Sequence, residues 1–191
     1  MRMGKEYTEI DERLQKWISR QMMFFVATAP NAPDGLINCS PKGLDSLRVL
    51  GPNQIAYVDT GGSGIETVAH LKDNGRITLM LCAFEGPPKI FRFYGQGTAM
   101  EPHDAEFAGI LARFPKMPAA RNIILIDVER IIDSCGYGVP QYEFKAHRDS
   151  LPNYFANQSE EDILAYRKNS NSESLDGLPG LAAESNSIED V

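Results

Sequence analysis

The chain has 191 residues, with 19 Lys and Arg against 26 Asp and Glu, which gives a formal net charge of −7. Apolar side chains make up 42% of the sequence, a share that is typical of a globular protein and too high for general disorder. A chain of this length can bury its core without disulfides or a structural metal. The acidic balance argues against nucleic acid or an anionic membrane surface as the main partner.

Three cysteines, Cys39, Cys82 and Cys135, lie far apart and form no C-x-x-C pair. This spacing argues against a zinc ribbon or a thioredoxin-type motif and favours a reduced, cytoplasmic protein. The three histidines lack the spacing of a ligand set, so no metal site is expected. The longest apolar run, residues 22–27, is far shorter than the ~20 residues of a membrane span.

Short strands alternate with short helices along the predicted chain. Alternating apolar residues mark the strands, apolar residues at helical spacing mark the helices, and Pro41 is expected to end the second strand. In chain order the sequence predicts helix 8–20, strands 22–29 and 36–40, an extended segment 44–50, strand 55–60, helix 65–73, strands 76–84 and 89–100, helix 103–114, strand 123–132 and helix 159–167.

Six strands joined by short helices favour a mainly β fold of the α+β class. We expect a closed or nearly closed six-stranded antiparallel barrel, with 76–84 and 89–100 as a hairpin, rather than a doubly wound sheet. Residues 1–167 form the predicted domain. Residues 168–191 form a Ser- and Asn-rich tail with one lysine and five acidic residues, predicted to be partly docked on the domain or disordered.

The most informative motif is the Gly-Gly-Ser-Gly loop, 61–64, between strand 55–60 and the following helix. Glycines let backbone N–H groups close on an anion, the helix start adds partial positive charge, and Ser63 can donate to a phosphate oxygen. Lys42, at the end of an earlier strand, could supply a full charge. Phosphate binding and a plain tight connection both remain open, because the spacing is neither GxGxxG nor GxxxxGK. No nucleophile motif is present.

The stretch 24–97 resembles a known family through an ordered series of motifs: FFVATAP, INCSPKG, IAYVDTGGSG, NGRITLMLCAF and GPPKIFRFYGQG. These motifs resemble the FMN-binding split-barrel proteins of the pyridoxamine 5'-phosphate oxidase-like superfamily, in particular its oxidase-related branch. The resemblance implies a six-stranded split barrel, a homodimer, and one FMN in each of two clefts between the subunits.

The resemblance also implies the cofactor contacts. Lys42 matches a family lysine that contacts the FMN phosphate or ribityl chain, with Cys39 and Ser40 beside the flavin ring. Val58, Asp59 and Thr60 match the next cofactor strand, and Ser63 matches the serine of the phosphate loop.

One departure concerns the Arg-Lys pair that follows this serine in the oxidases, because the chain has Gly64 and Ile65 there. Arg48, Arg92 or a residue of the partner chain is expected to replace the missing cations, or FMN binds more weakly. Thr67 is a further phosphate donor, and Tyr137 is placed to cover the flavin from the partner subunit. The expected cofactor-binding residues are therefore Cys39, Ser40, Lys42, Arg48, Val58, Asp59, Thr60, Ser63, Gly64, Thr67, Arg92 and Tyr137.

The implied activity is that of an FMN-dependent oxidoreductase acting on an unidentified small molecule. A flavin supplies the redox chemistry itself, so no side chain is named as catalytic. Two alternatives remain open: a flavin-binding or sensing module without turnover, and true pyridoxamine 5'-phosphate oxidase activity. The oxidases close their substrate site with a C-terminal segment that carries Trp and Arg, whereas the single tryptophan here is Trp17.

Overall fold

The computed structural model describes residues 4–182, which form one antiparallel sheet of eight strands with five short helices. No helix in this range is long and apolar enough to cross a membrane. The elements in chain order are β1 (Glu6–Tyr7), α1 (Glu12–Ile18), β2 (Phe24–Thr28), β3 (Asn38–Lys42), β4 (Leu47–Gly51), β5 (Gln54–Thr60), α2 (Glu66–Asn74), β6 (Arg76–Cys82), β7 (Ile90–Met100), α3 (Phe107–Leu111), β8 (Ala120–Ser134), α4 (Ser150–Ala156) and α5 (Glu160–Ser170).

The strand order explains why the barrel is split. The strands follow the order β3-β2-β6-β7-β8-β5-β4, with β1 paired to β8 beside this path. β3 and β4 are therefore the two edges of the sheet, although only residues 43–46 separate them in the sequence. So short a connection brings one end of each edge strand together. The predicted split barrel is confirmed, with eight strands rather than six because β1 and the extended segment that contains β4 both join the sheet.

Two differences between predicted and observed elements have identifiable causes, a helix cap and the edge position of a strand. α1 begins at Glu12 because the side chain of Asp11 accepts a hydrogen bond from the N–H of Leu14 (2.7 Å) and caps the helix. β3 continues through Pro41 to Lys42, so the prediction that Pro41 ends this strand is wrong. An edge strand tolerates proline because one side of it needs no ladder hydrogen bond.

The longest strand and the helices differ from prediction in extent. β8 runs over Ala120–Ser134 and pairs with β7, β5 and β1, which extends it at both ends beyond the predicted strand 123–132. α3 contains only Phe107–Leu111 of the predicted helix 103–114. α4 was missed because Pro152 interrupts its sequence, although proline is tolerated in the first turn of a helix.

The main core fills the barrel and holds α1 and α2 against it. Val26, Tyr57, Leu79, Phe93 and Ile124 are fully buried inside. A second cluster packs α3 against β5 and β8. α2 ends at Asn74, and Gly75 follows it with a φ of 72°, the left-handed conformation that closes a helix.

The segment after α5 packs on the barrel through residue 182. Leu181 is buried with the main core, its N–H donates to the Asn171 carbonyl (2.8 Å), and the Lys72 ammonium donates to the Gly180 carbonyl (2.5 Å). α5 itself extends to Ser170, past the predicted end of the helix. The remainder of the predicted tail, residues 183–191, lies outside the described residues.

Candidate cofactor site at the seam of the barrel

A polar cavity of about 320 Å³, here called the seam pocket, lies where β3, β5, the Gly-rich loop and the start of α2 meet. Its position follows from the fold, because β3 ends and β4 begins beside it. The expected cofactor residues that line it are Ser40, Lys42, Val58, Asp59, Thr60, Gly64 and Thr67, joined by Arg121 of β8.

The centre of the seam pocket is a buried carboxylate held between two cations. The Lys42 ammonium donates to Asp59 Oδ1 (2.6 Å), and the Arg121 guanidinium donates to Asp59 Oδ2 from Nε (3.1 Å) and Nη2 (2.9 Å). Burial favours the neutral acid, but the two cations outweigh it and hold the pKa of Asp59 below its ordinary value. Asp59 and Arg121 are each only 4% exposed and Lys42 is 21% exposed, so Lys42 is the cation that solvent and ligands can reach.

Arg121 also shapes the Gly-rich loop. Its Nη1 donates to the Gly62 carbonyl (2.8 Å) and its Nη2 to the Gly64 carbonyl (2.7 Å). The Asn171 amide also donates to the Gly62 carbonyl (2.9 Å). Gly61 is required for a different reason, because a Cβ there would lie 2.1 Å from the ring of Phe155 on α4. The loop is therefore fixed by β8, α4 and the C-terminal segment together.

The start of α2 presents donors to the pocket. Within the described residues no side chain caps this helix at Ile65, so its first-turn N–H groups remain available to a ligand. Glu66 and Thr67 of that turn line the pocket. The Thr67 hydroxyl accepts a hydrogen bond from the Asn38 amide (3.0 Å), and the Ser40 hydroxyl donates to the Asn38 carbonyl oxygen (2.8 Å). This network fixes the β3 wall of the pocket.

Five of the expected cofactor residues lie elsewhere in this chain. Arg48 pairs with Asp45 through two hydrogen bonds (2.8 and 3.0 Å) outside the seam pocket. Arg92 lies near the start of β7, where it donates to the Ser134 hydroxyl (3.0 Å), and it does not line the seam pocket. The remaining three, Cys39, Ser63 and Tyr137, are exposed and do not line the seam pocket.

Sequence reasoning missed Arg121, the second cation of the site. A signal was present, since Arg121 lies two positions before the apolar run at 123–126, and a buried strand carries a charged side chain only when that charge is paired. The register of β8 with β5 brings Arg121 to Asp59, because an irregularity in the pairing occurs between Asp59 and Thr60.

Comparisons with known proteins agree with this architecture. A sequence profile described as pyridoxamine 5'-phosphate oxidase matches residues 10–135. The chain is 37% identical over 194 aligned positions to the pyridoxamine 5'-phosphate oxidase family protein ustO of Aspergillus flavus, covering 92% of this chain and 77% of that protein. The chain belongs to the pyridoxamine 5'-phosphate oxidase family.

Solved structures share the family fold at lower identity. HupZ of Group A Streptococcus is 23% identical, with a TM-score of 0.51 over 68% of this chain and 99% of that chain. A candidate pyridoxamine 5'-phosphate oxidase of Lactobacillus delbrueckii is 16% identical, with a TM-score of 0.51 over 68% of this chain and 98% of its own. These likenesses support the split-barrel fold, and the resemblance seen in the sequence is confirmed at the level of family.

Proposed function

We propose that this family member is an FMN-binding flavoprotein that acts as an oxidoreductase on a small substrate. The observation that carries the proposal is the seam pocket. It gathers an accessible lysine, hydroxyl groups and an uncapped helix start at the position of the family's cofactor motifs. These are the groups that bind a phosphate and the hydroxyls of a ribityl chain.

The donor set fits a flavin phosphate with fewer cations than in the oxidases. Lys42 would hold the phosphate by charge, while the N–H groups of the first α2 turn and the Thr67 hydroxyl would donate hydrogen bonds to it. Arg121 contributes little directly, because four of its N–H bonds go to Asp59 and the loop carbonyls. Ser40 would bind a ribityl hydroxyl.

A bound flavin supplies hydride and electron transfer, and the protein supplies binding and orientation. The hydrogen bond to Asp59 (2.6 Å) holds the Lys42 ammonium in position, and the hydrogen bonds of Arg121 hold the loop in one shape. The buried ion pair of Asp59 and Arg121 therefore fixes this part of the seam pocket before the cofactor enters.

Binding without turnover is the second candidate function. It is favoured by the two departures from the oxidase pattern described above, Gly64 and Ile65 in place of the Arg-Lys pair and a single tryptophan at Trp17. A flavin spectrum of protein purified without added cofactor tests binding, and lack of flavin absorption together with no FMN-induced rise in melting temperature would refute both functions. Anaerobic reduction by NADH or NADPH then separates the oxidoreductase from the binding module.

Replacing Lys42 by alanine tests the assigned phosphate contact. The variant should lose FMN affinity by about 1.5–3 kcal/mol, the usual value of a charge-assisted hydrogen bond. Lys72→Ala is the matched control, because Lys72 also pairs with a buried carboxylate (Glu101, 2.7 Å) but does not line the seam pocket. Equal FMN affinity in both variants, measured by fluorescence quenching, would show that Lys42 does not contact the phosphate.

We further propose that the protein is a homodimer with the cofactor at the subunit interface. Leu36, Ile37 and Leu175 are 52–81% exposed and lie beside the β3 edge, an apolar surface that a second copy could cover. Sedimentation equilibrium of the flavin-loaded protein measures the state directly, and a monomer at micromolar concentration would refute this proposal. The cytoplasmic location remains a prediction.

A further inference from the structure

A second cavity, here called the aromatic chamber, borders the same β3–β4 connection as the seam pocket. Its volume is about 1120 Å³, slightly above the usual range of about 300–1,000 Å³ for small-molecule sites. The two cavities share Pro41, Lys42, Gly43, Leu44 and Leu151, so they are neighbours across one short stretch of chain. A molecule in the chamber would therefore lie next to whatever occupies the seam pocket.

The outer wall of the chamber is an irregular segment that is anchored rather than loose. The N–H of Tyr142 donates to the Phe84 carbonyl (3.0 Å), and the rings of these two residues stack with centroids 5.5 Å apart. The N–H of Phe144 donates to the Glu85 carboxylate (3.2 Å). Tyr142 and Phe144 nevertheless remain 62% and 42% exposed. The structure thus holds aromatic rings in place without burying them, which leaves ring surface for a ligand.

His147 anchors the inner end of this wall to the turn between the cavities. Its Nδ1 accepts a hydrogen bond from the Leu44 N–H (3.3 Å), so in the neutral ring the proton lies on Nε2. Leu44 and Asp45 have φ values of 60° and 55°, two consecutive left-handed residues that are not glycine. Such strain persists where surrounding contacts hold it and is concentrated at binding sites.

The charges that line the chamber favour an anion. Arg20, Lys145 and Arg148 line it, and no ion pair with a carboxylate is found for them within residues 4–182. Of the two acids in the lining, Glu85 already accepts the Phe144 N–H, and Glu143 is exposed. With Lys42, four cations and two acids line this cavity, a local excess of positive charge in a chain whose net charge is −7.

We propose that the aromatic chamber binds a planar aromatic carboxylate, with the rings of Tyr142 and Phe144 against its faces and Arg20, Lys145 and Arg148 near its charge. The further claim that this chamber is the substrate site of a flavin-dependent reaction rests on the proposed function. Binding of the anion itself does not depend on that function, so the two can fail separately.

Trp17 provides the readout, because it lines the chamber and is the one tryptophan of the chain. The probe is 4-nitrobenzoate, a planar anion that quenches tryptophan, and the matched neutral probe is 4-nitrobenzyl alcohol. We expect saturable quenching by both, with the carboxylate binding about ten-fold more tightly because of charge-assisted contacts. Cyclohexanecarboxylate, which has the charge without the flat ring, should bind more weakly than 4-nitrobenzoate in calorimetric titration.

The double variant Lys145→Gln, Arg148→Gln should abolish most of the preference for the carboxylate and leave the affinity for the alcohol unchanged. Lys116→Gln is the control, since Lys116 is exposed and lines neither cavity. Equal affinity for the two nitro probes, a preference untouched by the double variant, or no saturable binding below millimolar concentration would each overturn the proposal. If the protein binds FMN but neither nitro probe, the chamber proposal is refuted and the proposed function stands. If it binds the carboxylate probe but not FMN, the chamber proposal is supported and the proposed function is refuted.

Discussion

Replacing Asp59 by asparagine removes the charge from the floor of the seam pocket while keeping the shape of the side chain. In the native protein Asp59 accepts hydrogen bonds from Lys42 (2.6 Å) and from two nitrogens of Arg121 (2.9 and 3.1 Å). The substitution leaves the buried Arg121 cation without its counter-charge. We therefore expect a large loss of folding stability.

The magnitude follows from the burial of the three groups. Removing one partner of a buried ion pair costs about 3–5 kcal/mol, because the other charge stays buried and unpaired. The low end applies here, since Lys42 is 21% exposed and Arg121 keeps the carbonyls of Gly62 and Gly64 as acceptors. We expect the free energy of unfolding to fall by about 3 kcal/mol.

Urea unfolding at neutral pH measures this loss against a matched control. Asp45→Asn removes a carboxylate that also pairs with an arginine, Arg48, but the Asp45 side chain is 64% exposed. Pairs of that kind contribute about 0–1 kcal/mol. If Asp59→Asn costs no more than Asp45→Asn, the assignment of a buried, stabilising ion cluster is wrong.

Acid titration of the same variants tests the direction of the pKa shift of Asp59. The pKa of Asp59 in the folded protein lies below its ordinary value, so its contribution is complete above the unfolded pKa of about 3.9 and is lost as the pH falls through the folded pKa. The stability difference between the native protein and Asp59→Asn should therefore be constant near neutrality and shrink only below about pH 4. A difference that already declines between pH 7 and pH 5 would contradict the assigned shift.

Three further predictions concern the surroundings of the site. Gly61→Ala should displace α4, because the new methyl group would lie 2.1 Å from the Phe155 ring, and proteolysis between residues 140 and 160 should accelerate; an unchanged cleavage rate would contradict this packing. Leu181→Ala should lower the free energy of unfolding by about 2–4 kcal/mol, because Leu181 is only 6% exposed and packs with the main core, and a loss below about 1 kcal/mol would contradict this packing of the C-terminal segment. Burial lowers the pKa of His70, so the folded protein favours the neutral ring. The free energy of unfolding should therefore fall as the pH drops below about 6.5, and it should fall less steeply in His70→Gln. An equal slope in the two proteins would contradict this.

The candidate site was partly visible in the sequence. Lys42 and the Gly-rich loop could be singled out because a lysine at a strand end and glycines before a helix are recognised from neighbouring residues alone. The pairing of Lys42 with Asp59 could not be predicted from either residue, since it depends on β3 and β5 meeting across the seam. Arg121 is more distant still, sixty-two positions from Asp59 along the chain.

The alternation of apolar residues and the turn signals in the sequence determined the strands and the hairpin of β6 and β7, because these patterns act over a few neighbouring residues. The ordered motifs of residues 24–97 indicated the family through their resemblance to it. The ends of elements depended on partners: β3 passes through Pro41 because it is an edge, and α1 starts late because Asp11 caps it. Only the tertiary structure decided which charges face each other. The ion pair of Asp59 with Arg121 depends on the register between β5 and β8 and on burial. Neither can be predicted from the residues that flank Asp59 or Arg121 in the sequence.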